Sequence, residues 1–254
     1  GAHGELAGML MIHAYHSAQG IQRKKVILPD SAHGTNPASA ALCGYSVVQI
    51  QSDERGLIDP KKLEAIMDKE TAAVMLTNPN TLGIFETDIL KICEIVHNKG
   101  GLVYCDGANL NAVMGKTKMN RMGVDVLHFN LHKTFSVSHQ CMGGSVGAVG
   151  VREELSNLLP VPRVDYDGEK YTLNYDGPDG IGKVRSFYGN VQSLIKSYAW
   201  IMQLGADGLK EAAQCAVLNN NYMMKKLSEV PGVIAPSMIA LPRRISSGMG
   251  KVAM

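Results

Sequence analysis

The sequence predicts an α/β fold in which a mostly parallel, doubly wound sheet is flanked by helices. The main observation is that strand patterns alternate with helical segments of about ten residues along most of the chain. The composition agrees, because 27 of the 254 residues are glycine and only 6% are aromatic. Small residues let helices lie close to a sheet. A chain of this length also buries a substantial core.

The first helix is predicted over residues 5–18. Leu6, Met9, Leu10 and His13 follow the i, i+3, i+4, i+7 spacing of one helical face, and "GAHGE" leads into the helix. Strands follow where apolar and β-branched residues cluster between turn residues. They are predicted at 24–30, 45–51, 72–77, 101–106, 124–130 and, after Gly144, in "GSVGAVGV".

Three helices are predicted between these strands. A short helix opens in the loop "SAHGTNPAS" and ends at Gly44, and another has Pro60 in its first turn and runs to Lys69. A third helix stops at the glycine pair Gly100 and Gly101, since glycine ends helices readily.

The C-terminal part is predicted to differ from this alternation. Residues 160–185 are rich in Pro, Gly, Asp and Tyr and are predicted to form a long loop, of the kind that is usually functional or part of an interface. Helices follow at 191–204 and 207–228. We expect a large domain over 1–205, and over 206–254 a helix that leads toward a truncated small domain. The chain lacks an initiator methionine, so a fragment or one subunit of a larger protein is expected.

The composition argues against several classes of protein. The net charge is only +2 and no basic run is present, so nucleic acid is not expected as a partner. The apolar runs are shorter than the roughly 18 to 20 residues that span a bilayer. His13 and His16 lack a third ligand, so no metal site is expected, and no GxGxxG motif follows the first strand. An odd number of cysteines without a CxxC pair predicts a reducing compartment, the cytoplasm: Cys43, Cys93, Cys105, Cys141 and Cys215.

Polar loops follow four of the strands and should meet at one edge of the sheet. These loops are "SAHGTN", "NPNT", "DGANLN" and "HKTFS". They supply Asp106 and Lys133, and "GAHGE" supplies a helix start that suits an anion. Pyridoxal phosphate requires such a set: a lysine for covalent attachment, a carboxylate beside the pyridine nitrogen, and donors for the phosphate. Taken singly, Lys133 could be a solvated residue at a strand end, and Asp106 could form an Asx-turn.

Several motifs in order carry a resemblance to a known family. "GAHGELAG", "DSAHGTNPASA", "TNPNTLGIFE", "YCDGANLNA", "FNLHKTFS" and "SFYGN" resemble the pyridoxal-phosphate-dependent P-proteins of the glycine cleavage system, which are glycine decarboxylases. The similarity is greatest to the C-terminal-half (beta) subunit of the two-subunit bacterial form and covers most of residues 1–232.

The resemblance implies the aspartate-aminotransferase fold, fold type I, and a set of site residues. It implies Lys133 as the covalent attachment point, Asp106 as the partner of the pyridine nitrogen and His33 as the residue stacked on the ring. The remaining implied contacts are the helix start for the phosphate (Gly1, Ala2, His3, Gly4), the region of the ring hydroxyl (Asn80, Asn109) and the neighbours of the lysine (His132, Thr134).

The resemblance also implies a reaction and its partners. Glycine bound to the cofactor would lose carbon dioxide, and the resulting carbanion would attack the lipoyl disulfide of the H-protein, leaving an aminomethyl group on sulfur. A homologous N-terminal-half (alpha) subunit would complete a hetero-oligomer. Arg163 and Arg185 are candidates for binding the glycine carboxylate, because both lie in the long polar segment.

Some of these roles have structural alternatives. His33 and the two asparagines could simply form turns, and His132 would point away from Lys133 if the strand continued. His3 could cap the helix or contact the phosphate.

The chain also departs from the family pattern. Gln140, Cys141 and Met142 replace glycines, which could narrow the site, and the sequence diverges from Pro236 onward. The alternatives are another fold type I enzyme, an aminotransferase or a lyase, and a catalytically incompetent fragment.

Overall fold

A computed structural model describes residues 1–139 and 143–233 of the chain. Two features that distinguish the sequence from the family pattern therefore lie outside the described residues. These are the substitutions at Gln140, Cys141 and Met142 and the divergent segment that begins at Pro236.

The central sheet has six strands in the order β2-β1-β3-β4-β5-β6. The first five strands run parallel, and β6 pairs with β5 in the antiparallel direction. This arrangement confirms the predicted mostly parallel sheet. The strands are β1 (Lys25–Pro29), β2 (Ser46–Ile50), β3 (Thr71–Thr77), β4 (Leu102–Asp106), β5 (Val126–Asn130) and β6 (Gly147–Val151).

Helices connect the strands and cover both faces of the sheet. Most of them agree with the predicted segments to within a few residues, although the first begins at Ala2 instead of Glu5. The helices are α1 (Ala2–Ala18), α2 (Thr35–Leu42), α3 (Pro60–Ile66), α4 (Ile89–Asn98), α5 (Leu131–Thr134) and α6 (Val191–Ser228).

Two hydrophobic clusters, one on each face of the sheet, form the core. Successive residues of the central strand β3 alternate between them: Ala73 and Met75 pack in the cluster that contains α1, while Val74 and Leu76 pack in the cluster that contains α4. Every residue of β3 is buried. A strand buried on both faces has a nearly continuous apolar sequence, which explains the run "AAVMLT".

The C-terminal part differs from the prediction in one element. The segment predicted as one long loop contains an antiparallel hairpin, β7 (Arg163–Tyr166) and β8 (Tyr171–Asn174). Its strands are only four residues long, and their side chains are mostly exposed, so they lack the buried apolar face that makes a strand recognisable. The break between the two predicted C-terminal helices is present, because Gly205 in α6 has a φ of +61° and a ψ of −172°.

Among the helices that the structure describes, none is long and apolar enough to cross a membrane.

Candidate active site

The carboxyl ends of β4 and β5 bring Asp106 and Lys133 to the same edge of the sheet. Asp106 ends β4 and is 3% exposed, and Lys133 lies in α5, the single helical turn that follows β5. The charges of both residues act on the pKa of one histidine, His128 of β5. Lys133 itself is exposed. Its position therefore brings the amine to the site without the cost of burying a charge.

Two hydrogen-bond donors and one nearby histidine nitrogen surround Asp106. The backbone N–H of Ala108 donates to Oδ1 over 2.9 Å, and the side-chain amide of Asn36 donates to Oδ2 over 3.0 Å. Nε2 of His128 lies 3.2 Å from Oδ1. The Asx-turn that the sequence allowed is present, through Ala108, and a site role for Asp106 stays a prediction.

A buried pair on the neighbouring strands supports Asp106. His128 is opposite Asp106 in the parallel register of β4 and β5 and is 2% exposed. Its Nδ1 atom lies 2.7 Å from the hydroxyl of Tyr104, which is two residues before Asp106 on the same strand. Burial lowers the pKa of His128, and the charge of Lys133 acts in the same direction against the opposing effect of Asp106. These effects together favour the neutral imidazole.

A second buried carboxyl group lies in the same cluster. Glu5, in the first turn of α1, accepts a hydrogen bond from the hydroxyl of Ser39 over 2.7 Å. Ligand atoms of Glu5, Asp106 and His128 all lie within 4.8 Å of one another. Burial raises the pKa of Glu5, and the negative charge of Asp106 raises it further, against the lowering effect of the Ser39 and Asn36 side chains. Glu5 therefore binds its proton more tightly than an exposed glutamate does.

The start of α1 lies at the same edge. A Cβ atom at Gly1 would clash with Oδ1 of Asn130 and would come within 3.3 Å of Cε1 of His132. A Cβ at Gly4 would lie 3.3 Å from Gly147 of β6. These glycines let the positive end of the helix approach the residues next to Lys133. No side chain caps the helix, and the N–H groups of its first turn have no intrahelical acceptor.

Two further residues of the helix start are accessible. Ala2 and His3 are exposed, and partial desolvation of the His3 imidazole, together with the positive charge of Arg185, lowers its pKa. Arg185 therefore lies near the helix start. Arg163, the other arginine singled out from the sequence, lies in the hairpin strand β7.

The remaining predicted residues form two groups: those away from Lys133 (His33, Asn80, Asn109) and those that flank it (His132, Thr134). His33 is exposed in the loop after β1, where its Nδ1 accepts a hydrogen bond from the backbone N–H of Thr35 over 3.1 Å. Its charge lowers the pKa of Glu5, which places it near the cluster. Asn109 donates from its side-chain amide to the carbonyl oxygens of Pro79 and Asn80, each over 3.1 Å.

Asn80 is used by its own loop. Its side chain donates to the carbonyl of Gly56 over 2.8 Å and accepts from the backbone N–H groups of Leu82 and Ile84. These bonds favour the alternative in which Asn80 shapes a turn.

His132 and Thr134 flank the lysine within a helical turn and not within a continued strand. Nδ1 of His132 accepts from the backbone N–H of Val146 over 3.2 Å, and burial, together with nearby positive charges, lowers the pKa of its imidazole to about 4. Thr134 is buried and donates to Oδ1 of Asn111 over 3.0 Å. Both side chains therefore hold α5, and with it Lys133, in place.

Sequence reasoning missed four residues of the cluster: Glu5, Asn36, Tyr104 and His128. A signal for two of them was present. Side chains alternate along a strand, so Tyr104 lies on the same face of β4 as Asp106, and the histidine in "VLHFN" interrupts an otherwise apolar strand. Glu5 and Asn36 reach the cluster from separate helices, and no local pattern indicates this.

Comparison with known proteins gives matches over nearly the whole chain. The model of the aminotransferase class-V family matches residues 4–236. The chain is 47% identical over 260 residues to a probable glycine dehydrogenase (decarboxylating) subunit 2 of Thermosipho africanus, a match that covers 100% of this chain and 54% of the relative. It is 54% identical over 228 residues to the protein of the same name in Caldanaerobacter subterraneus, with 89% and 47% covered.

Solved structures agree on the fold. The crystal structure of a glycine decarboxylase (P-protein) of the glycine cleavage system, in inhibitor-bound form, matches with a TM-score of 0.70 at 20% identity over 90% of this chain and 53% of that chain. A sphingosine-1-phosphate lyase from Burkholderia pseudomallei matches with a TM-score of 0.67 at 17% identity over 91% and 53%. Likeness at such identity shows the fold alone, which is the predicted fold type I architecture. The chain spans about half the length of the curated relatives it matches.

Proposed function

Because the chain belongs to the aminotransferase class-V family, we propose that it is the cofactor-bearing part of a glycine dehydrogenase (decarboxylating). In this reaction glycine loses carbon dioxide, and its aminomethyl group passes to the lipoyl arm of a carrier protein. The observation that carries the proposal is the convergence of Asp106 with Lys133 at one edge of the sheet, where two hydrogen-bond donors and the nearby His128 surround the Asp106 carboxylate. The names of the relatives, which are 47% and 54% identical to this chain, support the choice of glycine as substrate.

The described residues fit pyridoxal phosphate. Lys133 offers an accessible primary amine, and Asp106 offers a carboxylate whose charge no cation cancels among its hydrogen-bond partners. The start of α1 offers N–H groups and the positive end of a 17-residue helix, which suit a phosphate. Among the described residues, Oδ1 of Asn130, beside Gly1, is buried and has no hydrogen-bond partner. This oxygen can therefore accept a hydrogen bond at the start of α1.

Each residue has a separate task in the proposed reaction. When bound, pyridoxal phosphate supplies an electron sink for the carbanion that remains after carbon dioxide leaves. Lys133 would attach the cofactor, Asp106 would face the ring nitrogen with its negative charge, and His33 would lie against the ring. Gly1, Ala2, His3 and Gly4 would bind the phosphate through the helix start.

The supporting residues act less directly. Asn109 holds the loop that contains Asn80 against the site edge, and His132 and Thr134 orient the turn that carries Lys133. Arg185 lies near the helix start and is the better of the two arginine candidates for an anionic group of the substrate. Decarboxylation needs no general base, which agrees with a site built around a carboxylate and a lysine.

The proposed enzyme requires partners. We propose a homologous N-terminal-half (alpha) subunit, in a hetero-oligomer, and a lipoylated H-protein. The words "subunit 2" in the names of the relatives support a partner subunit. We further propose that residues 1–205 form the cofactor-binding domain and that the helix beyond Gly205 leads toward a second domain. Cys43, Cys93 and Cys105 are buried free thiols, which supports a reducing compartment such as the cytoplasm.

The visible absorption spectrum of the chain with added pyridoxal phosphate tests the first half of the proposal. We expect a band that requires the amine of Lys133, that is absent in Lys133→Ala and that shifts when glycine is added. Lys183→Ala removes an exposed lysine of the long polar segment and serves as the matched control. A band that persists in Lys133→Ala, or a borohydride-trapped adduct at another lysine, would contradict the assignment.

The choice of reaction needs a second assay with the partner subunit and the lipoylated carrier present. Exchange of the glycine carboxyl group with bicarbonate is expected. Transamination or lyase activity in place of exchange would favour another fold type I enzyme. A chain that forms no band even with the partner subunit would favour the incompetent fragment.

A further inference from the structure

Tyr104, His128 and Asp106 form a buried series of polar contacts, one hydrogen bond and one close nitrogen–oxygen approach, that the proposed reaction does not use directly. The hydroxyl of Tyr104 lies 2.7 Å from Nδ1 of His128, and Nε2 of His128 lies 3.2 Å from Oδ1 of Asp106. Tyr104 is fully buried, and the other two side chains are almost as inaccessible. The three residues come from two adjacent parallel strands whose register places Asp106 opposite His128.

The chemistry of these groups determines where the protons lie. An ionised carboxylate only accepts hydrogen bonds, so the Nε2 atom that faces Asp106 must carry a hydrogen. In a neutral imidazole Nδ1 is then an acceptor, and it receives the hydroxyl hydrogen of Tyr104. The second contact of this hydroxyl, with the carbonyl of Glu5, is longer at 3.3 Å. Tyr104 therefore supports the tautomer that Asp106 requires.

We propose that His128, held in one tautomer by Tyr104, is the positioning residue for Asp106. It orients the carboxylate without adding a positive charge. An arginine or lysine in the same place would cancel the charge that the ring nitrogen requires. The inference rests on the proposed function, because that function requires Asp106 to face the ring nitrogen of the cofactor.

The groups around His128 agree with a neutral ring. Glu5 approaches from α1, Tyr104 and Asp106 from β4, and Lys133 from α5. Burial lowers the pKa of His128, and the positive charge of Lys133 acts in the same direction. Among the described residues, Asp106 raises the pKa of the ring, and it is the group that His128 positions.

The first experiment reads the tautomer of the cofactor-free chain by nitrogen NMR of histidine labelled with ¹⁵N. We expect His128 to show a protonated Nε2 and an unprotonated Nδ1 from pH 6 to pH 8. The signals are assigned by their loss in His128→Gln. An imidazolium, or the tautomer with the hydrogen on Nδ1, would overturn the proposal. The NMR measurement needs no bound cofactor, so it tests the tautomer of His128 even if the proposed function is wrong.

The second experiment measures the dissociation constant of pyridoxal phosphate for two variants at one position. His128→Leu removes the donor, and His128→Gln keeps an N–H at a similar distance from the backbone. We expect a rise of about tenfold to hundredfold for His128→Leu, as for a lost hydrogen bond to a charged group, and a rise within about threefold for His128→Gln. Wild-type affinity in a folded His128→Leu chain, or equal losses in the two variants, would overturn the proposal.

Two additional readouts separate positioning from a general loss of structure. Tyr104→Phe removes one hydroxyl and keeps the ring, and its dissociation constant should lie between those of the wild type and His128→Leu. Far-ultraviolet circular dichroism establishes that each variant is folded.

Discussion

The buried carboxyl group of Glu86 should make the free energy of unfolding depend on pH. Replacing Glu86 by glutamine should remove this dependence. Glu86 is 2% exposed, and its carboxylate accepts hydrogen bonds only from the backbone N–H of Ile58, at 3.0 and 3.3 Å, among the described residues. Its own N–H donates to Oδ1 of Asn78. Glu86 thereby anchors the loop that carries Asn80 and contacts Asn109 at the site edge.

The sign and size of the effect follow from the pKa of this carboxyl group. Burial raises the pKa of Glu86 from 4.5 to about 7; the Ile58 N–H opposes this rise, and the negative charge of Asp53 adds to it. The gap between 4.5 and about 7 corresponds to about 3 kcal/mol, at about 1.4 kcal/mol per pKa unit. The folded state binds the proton more tightly, so this contribution is fully present below pH 4.5 and is lost as the pH rises to about 7.

Urea unfolding of the wild type and of Glu86→Gln, between pH 4.5 and pH 8 at constant ionic strength, measures this contribution. The variant should gain about 3 kcal/mol in free energy of unfolding relative to the wild type across this range, since the amide cannot ionise. Glu64→Gln makes the same change in charge at an exposed position of α3 and should show no comparable trend. A constant difference between wild type and Glu86→Gln would refute the reasoning.

Two further predictions concern the packing of α1 and the charges near its start. Gly8→Ala should lower the free energy of unfolding by about 1 to 3 kcal/mol, because the new methyl group clashes with the ring of Tyr104, whereas Gly150→Ala adds a methyl group that meets nothing within 4 Å. Equal unfolding midpoints in urea for these two variants would show that α1 adjusts without strain. Arg185→Gln should raise the pKa of His3, measured by proton NMR titration, because the lost positive charge is one cause of its lowered pKa. No change would mean that Arg185 does not lie near the helix start.

The sequence alone was sufficient for the order of the elements and for the placement of Asp106 and Lys133 at one edge of the sheet. The alternation of short apolar runs with helical spacing located the six strands of the sheet to within a few residues. Because parallel strands end at one edge, Asp106 and Lys133 could be assigned to the same edge before any coordinates were considered. These features depend on local patterns and on a general rule of topology.

The tertiary structure decided how the site is supported. The strand register places His128 opposite Asp106, and the packing of α1 and α2 brings Glu5 and Asn36 into the same cluster. It also assigned the amide of Asn80 to its own loop. Such contacts join residues far apart in the chain, and a histidine or asparagine has the same local pattern whether its partner is a backbone group or a catalytic carboxylate. The physical reason is that hydrogen-bond partners are selected by strand register and helix packing, which short stretches of sequence do not determine.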